Sequence, residues 1–271
     1  MNLLPSATRP EQRPNFICVG AEKSGSTALY DCLRAHADIY MSPIKEPNFF
    51  STDVRVENFR EDYLRHEQQK GVSIDDYFDQ PRLPDRWGAY LESPEHYLRL
   101  FAEGTAAEAR GEVSNSYLYS TEAARNIADS LPAVRILVIL REPVARAFSH
   151  YRAMVRDGRT AKDSLMEEVA YDDGFADRRW GSCHGYIDHG LYGEQLERLF
   201  AVFPREQVKV ILAEEFFAER ERVMAEVFRF LELPTDAAQH PLLNRNRSAV
   251  PRSAGLIRWL TRTGLKSKAI R

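Results

Sequence analysis

Residues 134–140, VRILVIL, leave this chain few folds to choose from. Apart from Arg135 every side chain in the run is aliphatic, with no polar alternation. So short and continuous a run suits a strand covered on both faces, at the centre of a parallel sheet. REPVARAFSHYRAM follows it, with Pro143 suited to a first helical turn. FICVG (16–20) reads as a second buried strand, with a helix from about Ser26 that turns Leu29, Cys32 and Leu33 inward. IYM (39–41) predicts a short strand, GEVSNSYLY (111–119) a strand with its C-terminal loop, and QVKVILAEEF (207–216) another strand. Residues 121–131, 190–203 and 222–233 read as helices. Strands and helices alternate, which predicts an α/β fold: a single domain with a central, mainly parallel sheet flanked by helices. Residues 52–100 carry Pro81, Pro84 and Pro94 among charges and aromatics and predict helices and loops, with no clear strand, as an insertion for substrate contacts. Residues 1–14 read as a flexible N-terminal arm and 15–271 as the domain.

Composition narrows the setting. With 44% hydrophobic and 28% charged residues the chain has material for an ordinary core. No apolar run approaches the roughly 20 residues that span a bilayer. The start, MNLLPSATRPEQRPN, lacks the basic and apolar regions of a secretory signal. Cys18, Cys32 and Cys183 have neither zinc-knuckle nor C-x-x-C spacing and read as reduced thiols, hence a cytoplasmic expectation. Net charge is −3, yet Ala237–Arg271 contains no Asp or Glu and holds Arg245, Arg247, Arg252, Arg258, Arg262, Lys266, Lys268 and Arg271. A basic tail on an acidic body predicts a local anion site rather than a nucleic-acid surface. Its last part, GLIRWLTRTGLKSKAIR, is either a cover for the sheet or a peripheral membrane contact.

The loop VGAEKSGSTAL (19–29) places Gly20, Gly25 and Thr27 on the P-loop pattern, with Ser26 where its lysine belongs and Lys23 three residues early. Strand, glycine turn and helix together make a P-loop-like unit whose helix N-terminus can hold an anion. A nucleotide kinase or NTPase would need a carboxylate at a strand end to complete a magnesium site. The strand at 134–140 ends instead in Arg141, and a second cation suits a second phosphate better than a metal ion.

EKSGSTAL resembles the 5′-phosphosulfate loop of sulfotransferases that use PAPS (3′-phosphoadenosine 5′-phosphosulfate), and RILVILREPVARAFSHY resembles their 3′-phosphate motif. KEPNFFS (45–51) and GLYGEQLERLFAVFPREQVKVILAEEF are similar to segments of the carbohydrate and bacterial branch, so the resemblance runs from about Phe16 to Leu233. It implies a PAPS donor with 3′,5′-ADP as product, no metal, and sulfuryl transfer to a hydroxyl of a carbohydrate, glycolipid or small metabolite. It implies that Ser24, Gly25, Ser26 and Thr27 cradle the 5′-phosphate, that Lys23 assists the leaving oxygen, and that Arg141 and Ser149 hold the 3′-phosphate. Glu46 matches the segment whose glutamate acts as base. Lys45 and His189 are the acceptor-side candidates.

Other residues are less determined by sequence. Arg146 could join the 3′-phosphate motif or pair with a carboxylate. His36 could cap the first helix, and His150 could face away from the site. A histidine, His189 or His150, is the alternative base. Cys183, His184 and His189 have spacing too loose for zinc. Arg245 and Arg247 lie where relatives cover the nucleotide, although LLNRNRSAVPRS departs from their glycine-containing loop. Tyr77, Phe78, Trp87, Tyr90 and Trp180 could stack on a sugar or pack inside.

Overall fold

The computed structural model describes residues 2–5, 8–54, 56–61, 63–64, 73–160 and 162–235. Arg245, Arg247 and the basic C-terminal segment lie outside the described residues. The strands are β1 (Phe16–Cys18), β2 (Ile39–Met41), β3 (Ile44–Lys45), β4 (Arg86–Trp87), β5 (Ala109–Val113), β6 (Arg135–Leu140) and β7 (Val208–Leu212). The helices are α1 (Ser26–Arg34), α2 (Ile74–Phe78), α3 (Pro94–Arg99), α4 (Ser116–Tyr119), α5 (Ala123–Ser130), α6 (Pro143–Asp157), α7 (Leu165–Asp172), α8 (Tyr192–Phe200), α9 (Ala213–Ala218) and α10 (Arg220–Phe230).

The main sheet runs β2-β5-β1-β6-β7 and every pairing in it is parallel. VRILVIL is central, as its composition requires. Ile136, Val138 and Leu140 enter one core layer, while Leu137 and Ile139 enter the layer on the opposite face. Neighbouring β1 divides the same way, with Ile17 on the first face and Phe16 and Cys18 on the second. Ile127 of α5 and Leu199 of α8 cover the first face. Leu29 and Leu33 of α1 and Val227 and Phe228 of α10 cover the second. Gly111 of β5 is required by space, because a Cβ there would stand 2.2 Å from the Phe16 ring.

Several local readings shift. The strand read at 207–216 stops at Leu212, and Ala213 begins α9. Glu214 and Glu215 in that first turn suit a helix N-terminus. The 52–100 stretch contains two-residue β4, which pairs in parallel with β3. Tyr77 and Phe78 are core residues, whereas Trp87 is exposed. Within the first 14 residues Leu4 is buried, and the Leu3 N–H donates to Ser130 Oγ at 2.9 Å. His36 reaches Pro234 O through Nε2 at 3.0 Å and packs on Phe228, tying α1 to the end of α10 rather than capping α1.

Candidate active site

All five main strands point their carboxyl ends to one edge, so the loops that leave them meet there. The loop after β1 is stitched to β6: Val19 N–H donates to Leu137 O at 3.0 Å, Ala21 N–H to Ile139 O at 2.7 Å, and Ile139 N–H to Gly20 O at 2.7 Å. Lys23 (φ 63°) and Gly25 (φ 106°) turn the chain into α1. Gly25 is the N-cap and supplies no side chain to the first turn, so the amides of Ser26 and Thr27 stay open. Ser24 is fully buried, and its Oγ has no hydrogen-bond partner among the described residues. An uncapped helix start beside an unsatisfied buried hydroxyl is a cradle for an oxyanion. Burial pulls the Lys23 pKa down, Glu22 opposes this and Arg156 adds to it. An anion placed beside Lys23 would relieve that penalty.

At the end of adjacent β6, Arg141 is half-exposed. Glu142 caps α6 by accepting from Val144 N–H at 2.9 Å and Ala145 N–H at 2.6 Å, with Pro143 in the first turn. Ser149 is half-exposed further along the same helix. Arg146 is fully buried and donates from Nη2 to Tyr186 O, so a carbonyl, not a carboxylate, is its hydrogen-bond partner.

Glu46 reaches this edge by way of β2 and β3. Its N–H donates to Val113 O at 2.8 Å, so it sits at the end of β5, next to β1. Its Oε1 accepts from Lys45 Nζ and from Asn115 Nδ2, each at 2.7 Å. Lys45 is itself buried and lies 5.2 Å from the Trp87 ring centroid. Behind them Glu112 is fully buried, and burial pushes its carboxyl up to about 7 against hydrogen bonds from Ser114, Tyr117 and Tyr97.

On the other side of Lys23, Glu22 Oε2 lies 3.1 Å from His189 Nδ1, and Glu22 Oε1 lies 3.7 Å from His150 Nε2. His189 stacks on Trp180 with ring centroids 4.8 Å apart. His150 is fully buried, and burial pulls its imidazole down to about 3, so it is neutral at pH 7. His184, the other histidine near it, is pulled down to about 2 by burial.

Residues 14–237 match the family model described as the sulfotransferase family. The chain belongs to that family. It is similar to the sulfotransferase from Alicyclobacillus acidocaldarius, 31% identical with TM-score 0.68 over 96% of each chain. Carbohydrate sulfotransferase 15 of Rattus norvegicus is 24% identical over 86% of this chain and 46% of its own length. Heparan sulfate glucosamine 3-O-sulfotransferase 5 of Homo sapiens is 24% identical over 86% of this chain and 57% of its own length. The chain thus spans about half the length of these curated relatives. A sulfotransferase domain from the curacin biosynthetic pathway, 13% identical with TM-score 0.54, shares the fold.

In this chain the sequence-selected Lys23, Ser24, Gly25, Ser26, Thr27, Arg141 and Glu46 all lie at one sheet edge, and Ser149 follows on α6. Lys45 is drawn into the Glu46 carboxylate, and His189 into Glu22. Glu22, His150 and His189 place three ligand-type atoms within 4.8 Å of one another. The set fits a metal ion poorly. Lys23 and Arg146 already border the same carboxylate and would repel a dication. Both His150 nitrogens also lack a hydrogen-bond partner among the described residues, whereas a metal-bound imidazole normally donates its other N–H. Asn115, Glu22 and Glu112 were missed from the sequence. For Glu112 and Asn115 a hint lay in EVSNSY, which places polar residues at the carboxyl end of a buried strand, although not their partners.

Proposed function

We propose that this chain transfers the sulfuryl group of PAPS to a hydroxyl of a carbohydrate or related small acceptor, in line and without a metal ion. The observation that carries this reading is the common edge. The ends of β1 and β6, followed by Lys23 and Arg141, lie side by side, and the Glu46 segment is anchored on β5 at the other side of β1. The amides of Ser24 to Thr27 hold the 5′-phosphate, while Arg141 and Ser149 hold the 3′-phosphate. Glu46 takes the proton of the attacking hydroxyl as its oxygen bonds to sulfur. Lys23 meets the negative charge that grows on the bridging oxygen as the sulfur–oxygen bond breaks, so it acts more strongly on the transition state than on the bound donor. Lys45 and His189 border the acceptor. The nucleotide kinase or NTPase reading is not favoured, because Arg141 occupies the place of a magnesium carboxylate. The three cysteines are buried free thiols, which supports a cytoplasmic place of work.

The Glu46→Gln and Lys23→Ala variants test the assignment by contrast. Glu46→Gln should lower turnover by ~10²-fold or more while leaving 3′,5′-ADP affinity nearly intact. Lys23→Ala should lower turnover and weaken PAPS as well. If Glu46→Gln keeps more than about a tenth of wild-type turnover when chemistry is limiting, the base lies elsewhere and His189 is next.

A further inference from the structure

Three successive residues hold the Glu46 segment from β5. Val113 O accepts the Glu46 N–H at 2.8 Å. Ser114 Oγ accepts the Asn48 N–H at 3.1 Å and donates to Glu112 Oε2 at 2.7 Å. Asn115 Nδ2 donates to Glu46 Oε1 at 2.7 Å. The held segment is strained, since Glu46 (φ 68°) and Asn48 (φ 52°) are both left-handed without being glycine. Such a conformation persists only where its surroundings over-determine it. Asn115 also stands against the phosphate loop, because a Cβ on Gly20 would lie 3.1 Å from Asn115 O.

Among the described residues, the hydrogen bonds to the Glu46 carboxylate all end on Oε1, from Lys45 and from Asn115. Two donors from different directions fix the plane of the carboxylate, because rotation about its last bond would break both. We propose that Asn115 is a positioning residue of the transfer reaction: with Lys45 it saturates Oε1, and so makes Oε2 the oxygen that takes the acceptor's proton. This rests on the reading of Glu46 as the base. The other charged or titratable groups that bear on Glu46 or feel its charge are Lys45 in its own segment, Lys23 in the phosphate loop, Glu112 on β5 and Cys18 on β1. Of the donors, only Asn115 is neutral and held by a different strand.

The test uses the full chain with Asn115→Ala, the isosteric Asn115→Asp, Glu46→Gln and the Asn115→Ala/Glu46→Gln double variant. Turnover is measured at saturating donor and acceptor, and 3′,5′-ADP binding by calorimetry. Asn115→Ala should lower kcat roughly 10-fold, the scale of one hydrogen bond to a charged group. Asn115→Asp, which keeps the size and removes the donor, should lower kcat at least as far. Affinity for 3′,5′-ADP should stay within about twofold in both, which also reports that they fold. In the Glu46→Gln background Asn115→Ala should cost nothing more, since the residue acts through Glu46. Undiminished kcat in both single variants, or losses that multiply in the double variant, would overturn the proposal. More than about a tenth of wild-type turnover in Glu46→Gln alone would instead remove the base assignment on which it stands.

Discussion

At the scale of residues, the proposed donor side rests on a few groups that single substitutions can test. Arg141 offers a planar fork at the end of β6, and Arg141→Ala should weaken 3′,5′-ADP by ~1.5–3 kcal/mol. Selectivity for 3′,5′-ADP over 5′-AMP should shrink with it. Calorimetry with the two nucleotides measures both, and unchanged selectivity would mean that Arg141 does not read the 3′-phosphate. Gly25 is fixed by conformation and space together. Its φ is 106°, and a Cβ would meet the Phe217 ring at 3.0 Å. Gly25→Ala should cost about 1–3 kcal/mol in unfolding free energy and weaken nucleotide binding, read by thermal denaturation with and without 3′,5′-ADP. Lys23, Ser24, Gly25, Ser26, Thr27 and Arg141 were legible in sequence because each belongs to a local strand–turn–helix pattern. Asn115 and Glu22 were not, because their partners are distant along the chain. The Asn115–Glu46 bond joins residues 69 apart and the His189–Glu22 contact residues 167 apart. No periodicity reports such pairs.

At the scale of elements, β5 links the core to the Glu46 segment. It is buried along its whole length and carries Glu112 inside, where Tyr117 Oη donates at 2.8 Å and Tyr97 Oη at 3.3 Å. Burial raises the carboxyl from 4.5 to about 7. Between those pH values the folded chain therefore binds more protons than the unfolded chain. Glu112 costs nothing below the lower value, its destabilising contribution grows as pH rises through the window, and above the upper value the cost is constant. The full effect is on the order of 3 kcal/mol. Glu112→Gln removes it, so the stability difference between variant and wild type should move in favour of the variant from pH 5 to pH 8. Urea denaturation at both pH values gives that difference, and one that does not change with pH would contradict the placement of Glu112. Continuous apolar runs made β1 and β6 readable. The end of β7 and the short β3–β4 pair were not, since AEEF is as compatible with a helix as with a strand, and β4 owes its two residues to pairing with β3.

At the scale of the whole molecule, the parallel order β2-β5-β1-β6-β7 converts residues scattered along the chain into one edge. The alternation of strands and helices in the sequence implied such an edge, but not which strands are neighbours. That order underlies the proposed chemistry, because β1 between β5 and β6 puts the 20–27 loop between the carboxylate of Glu46 and the cation of Arg141. The most direct measurement of this account is a calorimetric titration of the full chain with 3′,5′-ADP in EDTA, set against ATP with magnesium. The account predicts binding of 3′,5′-ADP that chelator leaves unchanged and that ATP does not match. A strict magnesium requirement, or tighter binding of ATP, would contradict it.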